Sequence, residues 1–172
     1  MSETPFSCCF SGHRTAPFSW TSSYEGHIFQ IMLAKAINDA IDAGCNRFYS
    51  GMAMGFDIVA AEAVIEAKNH HNVELIAIIP FSGQESKWSK EWKTRHDAVL
   101  QACDDAITLN KDYITGCYHE RNRYLVDNSQ RLICFYSGKP GGTRHTHDYA
   151  EEKGLNIINL WKDVTRIGKQ TN

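Results

Sequence analysis

Ser50-Gly51-Met52-Ala53-Met54-Gly55-Phe56-Asp57 joins a short apolar run, Phe48 and Tyr49, to an alanine-rich stretch from Ile58 to Ala67. That order reads as a strand, a tight glycine turn and a helix. Such a turn delivers bare backbone N–H groups to a helix N-terminus, where the macrodipole favours an anion. Gly51 and Gly55 let the backbone approach a ligand closely, and Asp57 is the expected N-cap of the helix that follows. Ser50, Gly51, Met52, Ala53, Gly55 and Asp57 are therefore candidate contacts to a phosphate or a ribose.

Two further loops have a similar make-up: Ser11-Gly12-His13-Arg14 near the start and Lys139-Pro140-Gly141-Gly142-Thr143 near the end. Gly12, His13 and Arg14 can meet phosphate through backbone N–H and guanidinium groups. Gly141, Gly142 and Thr143 offer backbone N–H groups and a hydroxyl. Glu120, Arg121 and Asn122 open another expected helix, where a carboxylate suits a ribose hydroxyl and the other two suit phosphate or base.

Outward from these loops the chain alternates. Strands are expected at 6–10, 47–50, 73–79, 106–109, 132–136 and 155–160. Helices are expected at 24–43, 57–69, 84–102, 118–128 and 144–153. In the first helix Phe29, Leu33, Ile37 and Ile41 recur every four residues and Gly44 closes it. The tail over 162–172 is polar and expected to be loose. Continuous apolar strands separated by helices predict one α/β domain over 1–172, its core from about 6 to 160. The fold class is a Rossmann-like, doubly wound, mostly parallel sheet of about six strands with helices on both faces. In such sheets ligands bind at the carboxyl ends of the strands, where all three glycine loops fall.

The 172 residues carry a net charge of −2, so a broad electrostatic footprint for duplex DNA is not expected. Six cysteines, none in a C-x-x-C pair, read as reduced structural thiols rather than disulfides or a zinc site. His145 and His147 lack a clear carboxylate or cysteine partner in the sequence, so no metal is expected. Neither the dinucleotide G-x-G-x-x-G pattern nor the P-loop ending in Gly-Lys-Ser/Thr is present. No basic region precedes an apolar run at the N-terminus, and no apolar stretch reaches the roughly 20 residues that span a bilayer. Cytoplasmic localisation without membrane association is the resulting expectation. Homo-oligomerisation through outer helices is expected by fold analogy, with Phe29 or Trp92 as contacts.

Taken together, Gly12-His13-Arg14, the 50–57 loop, Glu120-Arg121-Asn122-Arg123 and Gly141-Gly142-Thr143 resemble the SLOG superfamily, in particular its YpsA/YoqJ-like branch of small bacterial and phage proteins. Pro80-Phe81 followed by Gln84 and Trp88 also looks like that branch, and Phe81, Trp88 or Tyr136 is a candidate for stacking on a base. The resemblance implies a bound nucleotide or nucleotide-derived ligand, such as ADP-ribose, an NAD-related species or a signal nucleotide, held by a sensor or a sequestering protein. Two related groups imply rivals. LOG enzymes cleave the N-glycosidic bond of a nucleoside monophosphate, a role in which Glu120 would be the first acid/base candidate, ahead of Asp57 or Asp148. Aligned on Pro140, this chain departs from their Pro-Gly-Gly-x-Gly-Thr-x-x-Glu motif at Arg144, His145 and Asp148; aligned on Gly142-Thr143, Thr146 stands where the Glu would be. DprA proteins share a Ser-Gly-x-Ala-x-Gly-x-Asp loop and bind single-stranded DNA. The weak net charge makes nucleic acid the less expected partner.

Overall fold

The computed structural model describes residues 6–169. Residues 1–5 and 170–172, the two ends of the expected domain, lie outside the described residues. The elements run β1 (Phe6–Gly12), α1 (Tyr24–Asp42), β2 (Cys45–Ser50), α2 (Phe56–Ala67), β3 (Glu74–Ile79), α3 (Lys90–Ala102), β4 (Asp105–Thr108), α4 (Cys117–Asp127), β5 (Arg131–Phe135), α5 (Gly142–Glu152), β6 (Asn156–Asn159) and α6 (Trp161–Lys169). All six strands form one sheet in the order β4-β3-β2-β1-β5-β6. Every pairing in it is parallel.

Strand alternation divides the core. Cys8 and Phe10 of β1 face a cluster with Phe29, Leu33 and Ile37 of α1, Ile58 and Val64 of α2, Val99 of α3 and Val164 of α6. Cys9 faces the other side, against Leu125 and Val126 of α4 and Ala150 of α5. Buried on both faces, the strands read as unbroken apolar runs, as parallel strands do. The chain winds from β1 out to β4, then crosses back past β1 to β5, so the winding direction reverses beside β1. A crevice opens at that reversal, outside the carboxyl ends of the strands.

All six cysteines are free thiols. Burial pushes Cys9 and Cys134 up to about 12, so neither supplies a thiolate at neutral pH. No helix among the described residues is long and apolar enough to cross a membrane.

Four expectations need correction. The third helix begins at Lys90, not at residue 84, because the Ser89 hydroxyl caps it by accepting from Trp92 N. Residues 162–169 of the expected loose tail are helical: Trp161 and Val164 fall one turn apart and bury against the sheet. The ring of Trp161 lies 4.7 Å from Phe135 and 5.6 Å from His13. Phe29 has no exposure and so cannot form an interface between copies. Asp57 is not an N-cap, because Gly55 occupies that position and Asp57 sits inside the first turn of α2.

Candidate functional site

Three aromatic rings form the floor of the crevice. Phe56, the first residue of α2, stacks on Phe135, the last of β5, at 6.2 Å and 14°, and Phe10 meets Phe56 edge-on. Gly12 passes directly over this floor. A methyl group there would fall 2.3 Å from the Phe56 ring, so only glycine lets β1 run on into the next loop.

That loop is tied on both sides. His13 N donates to Phe135 O, and His13 O accepts from Phe56 N. The ring accepts as well: Ser137 N donates to His13 Nε2 at 2.9 Å. Nε2 therefore carries its lone pair, and burial, aided by nearby Lys139, holds His13 below its usual pKa. His13 thus acts as a neutral pin between two loops, rather than a charged phosphate ligand. Arg14, next along, is exposed at the crevice mouth.

The 50–57 loop closes on itself. Ser50 Oγ accepts from Met52 N at 3.2 Å and donates to Asp57 O at 3.1 Å. Met52 takes a positive φ of 55°, and its carbonyl accepts from Gln84 Nε2. Gly55, at φ 89°, approaches the Arg14 backbone so closely that a Cβ would lie 2.1 Å from its carbonyl oxygen. Ser50 and Met52 are wholly buried, so the structure gives them internal roles in place of ligand contact. Replacing Ser50 with Ala should lower stability by about 1–2 kcal/mol, because it orphans the Met52 N–H. Urea denaturation measures this, and an unchanged midpoint would refute the internal role.

The loop is built around Asp57. Its carboxylate accepts from Ala53 N at 3.3 Å and is 5% exposed. Burial pushes its pKa up to about 6, against the opposing pull of Arg121, the Ala53 N–H and Arg14. Arg121, also 5% exposed, enters from α4. Its Nη1 donates to Gly51 O and its Nε to Asn122 Oδ1. Burial lowers its pKa and Asp57 supports its charge. Two guanidinium groups approach the Tyr118 ring, Arg14 at 5.8 Å and Arg121 at 5.7 Å.

Together these elements surround a cleft of about 450 Å³ lined by Ser11, Gly12, His13, Arg14, Ala53, Asp57, Tyr118, His119, Arg121, Asn122, Gly142 and Thr143. The N-termini of α2, α4 and α5 converge on it, and Gly141 caps α5 at φ 148°, a conformation that favours glycine. Three helix N-termini and two guanidiniums on one wall favour an anion.

Several expected contacts lie elsewhere. Glu120 is exposed, accepts from Asn110 Nδ2, and is not part of the cleft wall. Pro80 is buried and its carbonyl also holds Asn110. Trp88 packs edge-on against His96 at 5.5 Å, clear of the cleft lining. Gly51 is backed by Arg121 and Asp57, and Phe81 reaches the cleft only through its contact with Tyr118. Tyr118 and His119 line the cleft without having been singled out in the sequence. The signal was there: Tyr118, Arg121, Asn122 and Leu125 share one helical face.

Two clusters bring possible metal ligands within 4.8 Å of one another: Glu85, His96 and Asp97, and His147, Asp148 and Glu151. His147 therefore has the carboxylate neighbours that the sequence left unassigned. Both of them are exposed, and Asp148 also faces Arg144 at 3.5 Å.

A prophage-derived protein of Bacillus subtilis, YoqJ, is 30% identical over 129 residues, which cover 67% of this chain and 75% of YoqJ. Among solved structures, DNA processing protein A of Streptococcus pneumoniae superposes with a TM-score of 0.64 at 19% identity, covering 90% of this chain. That of Helicobacter pylori, described with a single-stranded DNA binding mode, gives a TM-score of 0.62 at 20% identity, covering 91%. This chain spans only 50% and 65% of those two proteins, and the likeness is one of fold. The YpsA family model, described as the YspA SLOG family, matches residues 8–159. The chain belongs to the YpsA SLOG family.

Proposed function

We propose that this protein binds a nucleotide or a nucleotide-derived small molecule, with its phosphates in the cleft beside β1. The carrying observation is the convergence of the α2, α4 and α5 N-termini on a cleft that Arg14 and Arg121 enter. Helix ends and guanidiniums favour a compact anion. A cleft of about 450 Å³ on a weakly acidic chain fits a small ligand better than a nucleic acid strand, which needs a long basic track. A sensing or sequestering role suits a site of this kind, and ADP-ribose, NAD-related species and signal nucleotides are the ligands to test.

Arg14 is the exposed cation of the site, so its removal tests the reading without disturbing the core. Arg14→Ala should weaken a nucleoside diphosphate by about 1.5–3 kcal/mol, the range for a hydrogen bond to a charged group. Isothermal titration calorimetry measures this. Equal affinity in both proteins would refute the placement, as would tighter, steeply salt-dependent binding of a thymidine oligonucleotide.

One observation favours a second reading, hydrolysis of an N-glycosidic bond. A carboxyl group with its pKa at about 6 lines the cleft, within the range a general acid needs near neutral pH. On this reading Asp57 takes the part that the sequence suggested for Glu120. Release of free base from a nucleotide panel, abolished in Asp57→Asn and retained in Glu120→Gln, would establish it. No release from any nucleotide would dismiss it.

A further inference from the structure

We propose that Phe81, Tyr113 and Tyr118 form a stacking shelf for the base of the ligand whose phosphates lie at Arg14 and Arg121, an inference that rests on the nucleotide reading above. The three rings touch one another: Phe81 to Tyr113 at 5.5 Å, Phe81 to Tyr118 at 5.9 Å and Tyr113 to Tyr118 at 6.2 Å. Tyr118 belongs both to this triangle and to the cleft wall, and both guanidiniums sit beside its ring. Anion pole and aromatic surface are therefore contiguous, at the spacing of neighbouring side chains.

The shelf is also open to a ligand. Tyr113 is 59% exposed and the adjoining Ile114 48%. Both lie on the 109–116 loop between β4 and α4, and together they make a contiguous exposed apolar patch against the cleft residue Tyr118, the kind of patch that marks a binding surface. A base stacked there would cover apolar ring faces while its phosphates stayed among the N–H groups of the cleft.

The rival place for the base is a cavity of about 370 Å³ between α4 and α5, which shares His119 and Asn122 with the cleft. Its wall includes Arg123, His145, Asp148 and Glu152. Tyr149 and the packed rings of His119 and His145 line it too, but among carboxylates that suit hydroxyl groups. Tyr118 instead has both guanidiniums over its ring and so joins the three-ring surface directly to the anion pole.

Calorimetry with ADP, UDP and inorganic pyrophosphate separates these places. Tyr113→Ala and Phe81→Leu should each raise the dissociation constants of both nucleotides about 5- to 100-fold. Pyrophosphate binding should stay within about twofold in both, because the phosphate pole is untouched. Tyr113→Trp should restore nucleotide affinity, and Tyr113 is exposed enough that its replacement leaves the fold intact. Unchanged nucleotide affinity in both shelf variants would overturn the proposal, as would weakening by His145→Ala in their place. Binding of pyrophosphate but of neither nucleotide by the unaltered protein would overturn the shelf alone. Failure of all three probes to bind would overturn the nucleotide reading and the shelf with it.

Discussion

Asp57→Asn should make the ligand-free protein more stable by about 2–3 kcal/mol at pH 7.5. The carboxyl is 5% exposed, and burial raises its pKa from 3.8 to about 6. The native state therefore binds a proton more readily than the unfolded chain. Between pH 3.8 and about 6 the native state holds more protons, so stability falls as pH rises through this window. Above about pH 6 the penalty is complete. A shift of about 2 pKa units corresponds to about 3 kcal/mol. Asparagine mimics the protonated form and still accepts from Ala53 N, so it removes the penalty and keeps the loop closed.

Urea denaturation of both proteins from pH 4 to 7.5 tests this. The gap should be small near pH 4 and open as the pH rises. His13 acts with the opposite slope, since its lowered pKa makes its contribution fade as pH falls below about 6.5. It is common to both proteins and cancels in the difference. Equal stability at pH 7.5, or a gap that widens on acidification, would refute the assignment. A carboxylate retained at such a cost to the fold, at the wall of a cleft, is the trade expected of a functional group.

The strand–turn–helix units at 6–14, 45–57 and 131–143 were legible because glycine turns punctuate apolar runs, and a parallel sheet places all three at one edge. Within a loop the sequence does not say which polar group turns inward. Ser50 and Asp57 looked equivalent there, yet a hydroxyl so close to Met52 N and Asp57 O satisfies itself locally. The start of α4 settles Glu120 in the same way. With Cys117 as first residue, Cys117, Arg121, Leu125 and Val126 form the buried stripe, half-buried Tyr118 and Asn122 flank it, and Glu120 points off it. Tyr113 escaped because the 109–116 loop has no period to read. Trp88 was a stacking candidate through its place soon after β3, but it precedes the Ser89 cap of α3 and packs edge-on against His96.

Arg121→Leu should destabilise the protein by about 3–5 kcal/mol at pH 7.5, the cost of leaving a buried charge uncompensated. Two losses combine. Gly51 O loses its guanidinium donor, and Asp57 loses the largest of the influences that favour its charged form. The second loss exists only while Asp57 is ionised. In the Asp57→Asn background the same substitution should therefore cost less, by about 1–3 kcal/mol, the usual coupling between residues that share a network. A double-mutant cycle by urea denaturation at pH 7.5 measures that difference. Strict additivity would mean that Arg121 serves only the Gly51 carbonyl and leaves the carboxylate to other groups.

A coupled result divides the labour between the two arginines. The charge of Arg121 is engaged with Gly51, Asn122 and Asp57 before any ligand arrives, so its main effect is on loop geometry. Arg14 is exposed and free to meet an incoming anion. Arg14→Ala should then lower ligand affinity with little change in the urea midpoint, and Arg121→Leu should lower both together.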